Sequence, residues 1–363
     1  MNNISNILEK GELTQKDILS LLQSEESEKQ KLFEKAAEVK STYVGRKVYY
    51  RGLVEFSNIC SKNCYYCGIR KANQHVERYN LTDEEIIDAA RFSYENKYGS
   101  IVLQGGELST PAFTKRITQL LDKIHEATNH ELGVTLSFGE QTEEVFKEWL
   151  DHGAHRYLLR IESSNSELYN KIHPKDLRHN YQNRLDSLKT LQKTGYQTGT
   201  GVMIGLPFQS LKDLADDLLF MRNFDIDMVG MGPYIEHHDT PLYKYREQLL
   251  TLGERFQLTL KMIAILRIMM KDINIAAATA LQAIDPLGRE KALKVGANVI
   301  MPNVTPGMYR NNYKLYENKP CTNEQASDCT NCLEVRIGLT GDEIGYGEKG
   351  NPVHYYKRRN ISV

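Results

Sequence analysis

The residues best suited to chemistry are three cysteines, Cys60, Cys64 and Cys67, on one short stretch of the chain. Thiolates in the pattern Cys-x3-Cys-x2-Cys bind metals, but a structural zinc site normally needs four ligands, usually in two pairs. Three thiolates on one loop instead suit three irons of a cubane 4Fe–4S cluster, which leaves the fourth iron open. A structural zinc ion and a simple electron-transfer cluster are the alternatives.

An open iron predicts that a small molecule binds the cluster directly. S-adenosylmethionine can chelate this iron through its amino and carboxylate groups, and a reduced cluster can then cleave its sulfonium bond to a 5′-deoxyadenosyl radical. Cys60, Cys64 and Cys67 are therefore the predicted cluster ligands and catalytic residues. The protein must position the cofactor and exclude water.

A second group of cysteines, Cys321, Cys329 and Cys332, lies near the C-terminus. A secreted disulfide framework would spread its cysteines through a short chain, whereas all six here fall into two tight groups. The second group predicts a further iron–sulfur cluster of the 2Fe–2S or 4Fe–4S type, with Asp328 or solvent completing it. Redox-inert thiols on a loop are the alternative.

The elements that must position these residues show a repeating pattern. Short runs rich in Val, Ile, Leu and Met alternate with charged stretches of helical period, which indicates a parallel sheet covered by helices. The predicted strands are 48–56, 100–104, 133–138, 156–161, 199–204, 228–232, 273–279 and 297–301. About eight such units predict an α/β fold with a complete (β/α)8 TIM-type barrel. A doubly wound open sheet is the alternative, but no dinucleotide fingerprint follows the first strand.

Several residues mark the ends of the predicted helices. Thr82 with Glu85 predicts a capping box, and Pro111 predicts a first helical turn. Left-handed glycines that end a helix before the next strand are predicted at Gly99, Gly153, Gly195 and Gly296.

The second predicted strand ends in Gln104, Gly105, Gly106 and Glu107, at the barrel face where active sites lie. Its glycines allow a close backbone approach, and backbone carbonyls together with the Glu107 carboxylate can bind an ammonium group.

Arg160 and Glu162 end the fourth predicted strand, and strand alternation places them on one side. We expect Arg160 to bind a carboxylate as a catalytic and substrate-binding residue, and Glu162 to bind ribose hydroxyls. A solvated pair on the barrel rim is the alternative.

The charge of the chain restricts its partners. The 363 residues carry 46 basic and 47 acidic side chains, for a net charge of −1, which argues against a general nucleic-acid binder. The N-terminus lacks an apolar signal segment, and the longest apolar stretch, 262–270, is short and interrupted by Arg267. We expect a soluble cytoplasmic protein with no membrane partner.

These motifs resemble the radical S-adenosylmethionine superfamily, whose hallmark is a Cys-x3-Cys-x-aromatic-Cys loop followed by a Gly-Gly-Glu turn. The resemblance implies that Tyr66, in the aromatic position, lies near the adenine and that Arg184 clamps the carboxylate of S-adenosylmethionine. It also implies that Met203, within 202–207, packs against the adenine, although a core strand explains that segment equally well.

Within the superfamily the chain resembles the HydE-type maturases of FeFe-hydrogenase, with biotin synthase and methylornithine synthase as relatives. The resemblance covers nearly the whole chain and rests on the second cysteine group and on segments 54–58, 227–233, 239–242 and 298–303. It implies an N-terminal helical segment (1–45), a radical S-adenosylmethionine barrel (46–305) and a C-terminal extension (306–363) that closes the barrel.

The same resemblance assigns further residues. It implies that Tyr313 closes the cofactor pocket and that substrate is bound by Thr135, Arg160, Thr279 and Tyr316. Some relatives carry a serine at Gly105, a histidine at Ile161 and a further threonine just before Thr279, so the anion and substrate contacts differ from theirs.

The resemblance implies a role in building the diiron subcluster of the hydrogenase active site. The substrate would be a small organometallic or amino-acid-derived compound. The partners would be other maturases and an electron donor such as ferredoxin or flavodoxin. A methylornithine synthase-like enzyme and a non-catalytic iron–sulfur carrier are the alternative functions.

One further group, His237, His238 and Asp239, consists of metal-binding residue types. Adjacent histidines on an extended segment point in opposite directions, so a solvated loop is the prediction here.

Overall fold

Strands and helices alternate along the chain in a computed structural model that describes residues 4–322 and 333–362. The principal strands are β1 (Lys47–Ser57), β2 (Ser100–Gly105), β3 (Gly133–Ser137), β4 (Ala154–Leu158), β5 (Gln197–Thr200), β6 (Met203–Ile204), β7 (Met228–Val229), β8 (Gly232–Pro233), β9 (Asn274–Ile275), β10 (Val299–Ile300) and β11 (Glu343–Ile344). Each of the eight predicted strands overlaps at least one of these, and β11 was not predicted.

The sheet is parallel and is wound in chain order. Its path runs β10-β1-β2-β3-β4-β5-β7-β9, and β6 pairs with β8 in a small separate sheet. A doubly wound sheet would reverse its strand order partway, so that alternative is wrong. Eight parallel strands paired in chain order form part of a barrel. The ladder ends at β9 on one side and at β10 on the other.

Helices cover the strands and precede them at the N-terminus. They are α1 (Ile4–Leu8), α2 (Gln15–Leu22), α3 (Glu26–Tyr43), α4 (Asp83–Glu95), α5 (Pro111–Ala127), α6 (Glu143–Asp151), α7 (Ser166–Ile172), α8 (Tyr181–Thr194), α9 (Leu211–Asn223), α10 (Leu252–Met269), α11 (Thr279–Ile284), α12 (Gly288–Lys294), α13 (Gly307–Arg310) and α14 (Val353–Arg359). Residues 333–338 are also helical, and 3-10 turns occupy Leu177–His179 and Pro241–Gln248.

The predicted helix starts are confirmed. Thr82 and Glu85 form a reciprocal capping box at α4, and Pro111 occupies the first turn of α5. The left-handed backbone is confirmed at Gly153, Gly195 and Gly296, which have φ of 93°, 114° and 130°.

The prediction for Gly99 is wrong. The left-handed residue between α4 and β2 is Lys97, with φ of 57°. Gly99 is instead required by close packing, because a Cβ there would lie 1.7 Å from the backbone oxygen of Glu348 in the C-terminal extension. That contact joins residues far apart in the chain, so helix-ending rules could not reveal it.

One main hydrophobic core lies between the sheet and its helices, and α10 is its most deeply buried helix. The C-terminal extension contacts the base of the sheet, where β11 adds to β1 in parallel through the pairs Lys47–Glu343 and Val48–Ile344. Within the described residues, no helix combines the length and apolar character needed to cross a bilayer.

Candidate active site

The first cysteine group lies on the loop that follows β1, at the C-terminal edge of the sheet. The register of β1 against β2 shifts between Glu55 and Ser57, and such a bulge redirects the chain where the loop begins. Cys64 is buried, Cys60 and Cys67 are half-buried, and these three cysteines form no disulfide.

The turn after β2 packs directly against this loop. The backbone N–H of Glu107 donates to Cys60 Sγ at 3.3 Å, and the Lys62 N–H donates to the same sulfur at 3.4 Å. In return, the N–H and Oγ of Ser61 donate to the backbone oxygen of Glu107 at 3.0 and 2.8 Å. The Gly-Gly-Glu turn and the cysteine loop therefore form one hydrogen-bonded unit.

Gly106 makes this approach sterically feasible. A Cβ on Gly106 would lie 2.2 Å from the backbone oxygen of Ile59 and 2.8 Å from Cβ of Cys60. Any side chain at this position would push the turn away from the cysteine loop.

The three thiols fit an iron–sulfur cluster. Burial raises the pKa of Cys60, Cys64 and Cys67, in the last case to about 12, because a buried thiolate loses its hydration. Such thiols ionise when a cation binds them, and a bound iron supplies that charge. Two backbone N–H groups donate to Cys60 Sγ, and a cluster-bound cysteine sulfur accepts hydrogen bonds of this kind.

A compact charge cluster lies beside the loop. Arg184 of α8 donates through one nitrogen to Glu107 Oε1 and Oε2 at 3.0 and 3.2 Å, and its Nε lies 2.9 Å from Glu140 Oε1. Lys62 lies 2.7 Å from Glu140 and 3.7 Å from Glu107. Burial would raise the pKa of Glu107, but the charges of Arg184 and Lys62 outweigh it and hold this pKa below its usual value.

This cluster offers both charges that an amino-acid zwitterion needs. The Glu107 carboxylate can accept from an ammonium group, and the Arg184 guanidinium can bind a carboxylate. Arg184 Nε and Glu140 Oε1 are close but not aligned as a hydrogen bond, so both keep bonding capacity in this buried setting.

Arg160 and Glu162 lie past the end of β4 and face one another. Arg160 Nε donates to Glu162 Oε1 and its terminal nitrogen to Glu162 Oε2, both at 2.9 Å. The same nitrogen donates to the backbone oxygen of Val202, beside Met203. Glu162 has a φ of 63°, an uncommon conformation for a side chain of this size. The predicted placement on one side is borne out by this bidentate pair.

Tyr66 is held by a histidine that sequence analysis did not single out. Its hydroxyl lies 3.1 Å from Nε2 of His173, whose Nδ1 donates to the backbone oxygen of Tyr169 at 2.9 Å. The backbone oxygen only accepts, so Nε2 of the neutral ring must accept from Tyr66. Tyr66 and Met203 both pack against one small apolar cluster, in which Leu168, Ile172, Leu206, Tyr234 and Leu242 are buried.

The C-terminal segment covers the loop from the other side. Tyr313 is buried and its hydroxyl accepts from Gln104 at 3.2 Å. Burial raises the pKa of Tyr316, and the nearby Glu55 carboxylate raises it further. Lys319 forms a buried ion pair with Glu55 and donates to the backbone oxygen of Tyr313 at 2.9 Å.

The two remaining predicted substrate residues are Thr135 and Thr279. Thr135 is buried within the sheet, where its hydroxyl has no hydrogen-bond partner and lines a small cavity of about 30 Å³. Arg51, Met228 and Asn274 also line this cavity, and no residue of the cysteine loop does. Thr279 begins α11 just beyond β9. The structure therefore groups the cofactor residues closely and leaves Thr135 in a separate interior space.

Part of the second cysteine group lies outside the described residues. Cys321 is half-buried with a φ of 61°, and its backbone oxygen accepts from Arg310 at 3.2 Å. Cys329 and Cys332 fall within 323–332, which the structure does not describe.

Lys62, Glu140, His173 and the Glu55–Lys319 pair were not predicted from the sequence. Lys62 stands inside the cysteine motif, so its position was the one available signal. The others reach the site from separate parts of the chain, with Glu55 in β1, and no local pattern marks them.

Comparison with known proteins identifies the family. The sequence profile of the radical SAM superfamily matches residues 54–221. The chain is 45% identical over 314 residues to the "[FeFe] hydrogenase maturase subunit HydE" of Thermotoga maritima, covering 86% of each chain. It is 27% identical over 297 residues to the 3-methylornithine synthase of Methanosarcina acetivorans, covering 81% of this chain and 80% of that one.

A solved structure shares the fold. The crystal structure of methylornithine synthase (PylB) superposes with a TM-score of 0.79 at 22% identity, covering 95% of this chain and 97% of that one. At this identity the similarity concerns the fold alone.

Proposed function

Because the chain belongs to the radical SAM superfamily and, within it, to the HydE maturase family, we propose that it acts in assembly of the diiron subcluster of FeFe-hydrogenase. In this role it cleaves S-adenosylmethionine reductively to a 5′-deoxyadenosyl radical. The observation that carries the proposal is the 45% identity over 86% of the chain. The cysteine loop bonded to the Gly-Gly-Glu turn supports it, because this geometry suits a cluster with an open iron.

The cofactors are a 4Fe–4S cluster and S-adenosylmethionine, which the family uses. When bound, the cluster supplies the electron that cleaves the sulfonium bond. We assign Cys60, Cys64 and Cys67 to hold it. Glu107 receives the ammonium group of S-adenosylmethionine and Arg184 steers its carboxylate, because the two side chains already lie in one buried charge cluster.

The remaining cofactor contacts are assigned by position. Glu162 binds the ribose hydroxyls and is held in place by Arg160, whose bidentate contact fixes the carboxylate. Tyr66 and Met203 pack the adenine beside their shared apolar cluster. The backbone at Gln104 and Gly105 lines the methionine end of S-adenosylmethionine. Tyr313 covers this end of the pocket and is held there by its hydrogen bond to Gln104.

For the substrate we propose a small organometallic compound, with an amino-acid-derived compound as the alternative. Arg160 and Tyr316 contact it near the cofactor, and Thr135 and Thr279 contact it deeper in the sheet. The unpartnered Thr135 hydroxyl in an interior cavity supports this, since a buried hydroxyl without a partner is costly. The partners would be other hydrogenase maturases and a ferredoxin or flavodoxin.

We also propose that the sheet closes into a complete (β/α)8 barrel. Ala276, just after β9, and Val299, the first residue of β10, form a single parallel bridge. The Ala277 N–H donates to the Val299 oxygen and the Asn298 N–H to the Ile275 oxygen, both at 2.9 Å. The proposed boundaries remain 1–45 for the helical segment, 46–305 for the barrel and 306–363 for the extension.

A second iron–sulfur cluster at Cys321, Cys329 and Cys332 also remains a proposal. Iron and sulfide determination on anaerobically reconstituted protein tests it against a Cys321→Ala variant. A 2Fe–2S or 4Fe–4S cluster predicts a loss of about two or four irons per chain, and equal iron contents would contradict it.

An add-back maturation assay tests the main proposal. Apo FeFe-hydrogenase is mixed with the other maturation components, S-adenosylmethionine, a reductant and this reconstituted protein, and hydrogen evolution is recorded. A known maturase run in parallel shows that the mixture is competent. We expect hydrogen evolution that depends on this protein and disappears with the Cys64→Ala variant.

The outcome also separates the alternatives. No hydrogen with an active control would overturn the maturase proposal. A rearranged amino acid among the products would instead indicate a methylornithine synthase-like enzyme. Cluster binding without formation of 5′-deoxyadenosine would indicate an iron–sulfur carrier.

A further inference from the structure

The segment His237–Asp239 does not have the extended geometry that sequence analysis predicted. The Thr240 N–H and Oγ1 both donate to the backbone oxygen of His237, at 3.0 and 2.6 Å, which closes a tight turn. The two imidazole rings therefore stack, with centroids 4.8 Å apart and planes 20° apart. The prediction that adjacent histidines point in opposite directions is wrong here, because a turn replaces the strand.

The turn brings three metal-binding side chains together. One ligand atom from each of His237, His238 and Asp239 lies within 4.8 Å of the other two. His238 Nε2 is 3.3 Å from Asp239 Oδ2, close to the separation of about 3.4 Å between two tetrahedral ligands that are each about 2.1 Å from one ion. His75 approaches the other carboxylate oxygen, with Nδ1 2.8 Å from Asp239 Oδ1.

A contact behind His238 points to a cation. His238 Nδ1 contacts Glu317, and because a carboxylate only accepts, the ring proton of that contact is on Nδ1. The Nε2 atom of His238 then faces a second carboxylate, Asp239, and either a shared metal ion or a second ring proton satisfies this arrangement. A carboxylate behind a histidine ligand is the usual support of a metal-bound imidazole.

The group joins three separate segments at the mouth of the sheet. His75 follows the cysteine loop, His237–Asp239 follows β8, and Glu317 belongs to the segment that carries Tyr313. His237 is buried against Gly68, where a Cβ would lie 2.5 Å from the ring. The Gly68 N–H also donates to the backbone oxygen of Leu315 at 2.9 Å.

We propose that His237, His238 and Asp239 bind one divalent first-row transition metal ion, with Glu317 as the support of His238 and His75 as a hydrogen-bond partner of Asp239. Two imidazoles and a carboxylate suit Zn²⁺ or Fe²⁺. The ion pins the C-terminal segment to the cysteine loop beside the cofactor pocket. It is separate from the iron–sulfur cluster and does not depend on the maturase role.

Zinc binding by the full-length, reconstituted protein tests this proposal. The holoprotein is dialysed anaerobically against Zn²⁺, zinc and iron are measured per chain, and the zinc ligands are identified by X-ray absorption. We expect one zinc with nitrogen and oxygen ligands at about 2.0–2.1 Å. Sulfur ligands at about 2.3 Å would mean that zinc occupies cysteines and would overturn the assignment.

Variants complete the test. Glu317→Gln should weaken zinc binding by about tenfold, as expected for the support of a ligand. Asp239→Ala should weaken zinc binding further, and so should His238→Ala, which replaces an exposed side chain. His152→Ala is the matched control, because His152 pairs with a carboxylate, Asp122, at 2.6 Å elsewhere on the surface.

Two results would contradict the site. Equal zinc content and affinity in the wild type and in Asp239→Ala would exclude these ligands. Failure of the wild type to retain zinc would mean that a proton on His238 supplies the positive charge. Neither readout involves hydrogenase maturation, so failure here is distinguishable from failure of the proposed function.

Discussion

The backbone N–H of Glu107 lies 3.3 Å from Sγ of Cys60. The same residue directs its carboxylate to Arg184, so one turn contacts both the cluster ligand and the side chain proposed to steer the carboxylate of S-adenosylmethionine. We therefore expect binding of S-adenosylmethionine and placement of the cluster to depend on one another.

Replacement of Cys60, Cys64 or Cys67 by alanine should abolish 5′-deoxyadenosine formation, because a three-thiolate cluster loses a ligand. Cys329→Ala should retain most of this activity, since it belongs to the second cysteine group. Product is measured by chromatography after reduction with dithionite. An inactive Cys329→Ala protein would show that the roles of the two groups are assigned wrongly.

Gly106→Ala should lower the iron content and the cluster absorbance after reconstitution. Its Cβ would lie 2.2 Å from the Ile59 oxygen, so the turn must move away from Cys60. Gly11→Ala is the control, because nothing lies within 4 Å of a Cβ there. Equal iron content in the two variants would show that the turn adapts without disturbing the cluster.

Arg184→Lys should raise the KM for S-adenosylmethionine roughly tenfold while the fold survives, because a lysine keeps the charge but loses the planar donor set. Arg184→Ala should in addition lower the free energy of unfolding by about 3 kcal/mol, since two half-buried carboxylates lose a partner. Steady-state kinetics and denaturant unfolding measure the two effects. An unchanged KM in Arg184→Lys would remove Arg184 from the cofactor site.

His173 should make the folded protein sensitive to acid. Burial lowers the pKa of His173 to about 3, against about 6.5 in the unfolded chain, so acidification below pH 6.5 adds a proton to the unfolded state first. This costs about 2 kcal/mol of stability between pH 7.5 and pH 5. His173→Gln removes that titration, so the stability advantage of the wild type over this variant should shrink over the same range. A pH-independent difference in unfolding free energy would contradict the prediction.

The Glu55–Lys319 pair should stabilise the C-terminal segment. Burial raises the pKa of Glu55 and lowers that of Lys319, and the attraction between the pair opposes both changes. Lys319→Met alone should lower the free energy of unfolding by about 3 kcal/mol, because it strands a buried carboxylate. The double variant Lys319→Met/Glu55→Gln should recover most of that loss. A double-mutant cycle in denaturant checks this, and additive losses would show that the two residues act independently.

The amino-acid sequence by itself determined the features that short segments encode. The cysteine spacing, the capping box at Thr82 and the alternation of apolar strands with helices depend on neighbours within a few residues, so local rules predict them. Homology extends this to the family. The prediction that Arg160 and Glu162 lie on one side is confirmed by their contact, although both residues lie beyond β4 and Glu162 is left-handed, so strand alternation is not the cause.

Only the tertiary structure decided which distant side chains meet. Arg184 of α8, Glu140 after β3 and Lys62 of the cysteine loop reach one place from three separate segments, and no local pattern encodes their separation. Gly99 is required by a contact with Glu348, and the turn at His237–Asp239 replaces a predicted extended segment. Each of these contacts depends on how the sheet winds and on where the C-terminal extension returns, and those depend on packing across the whole chain.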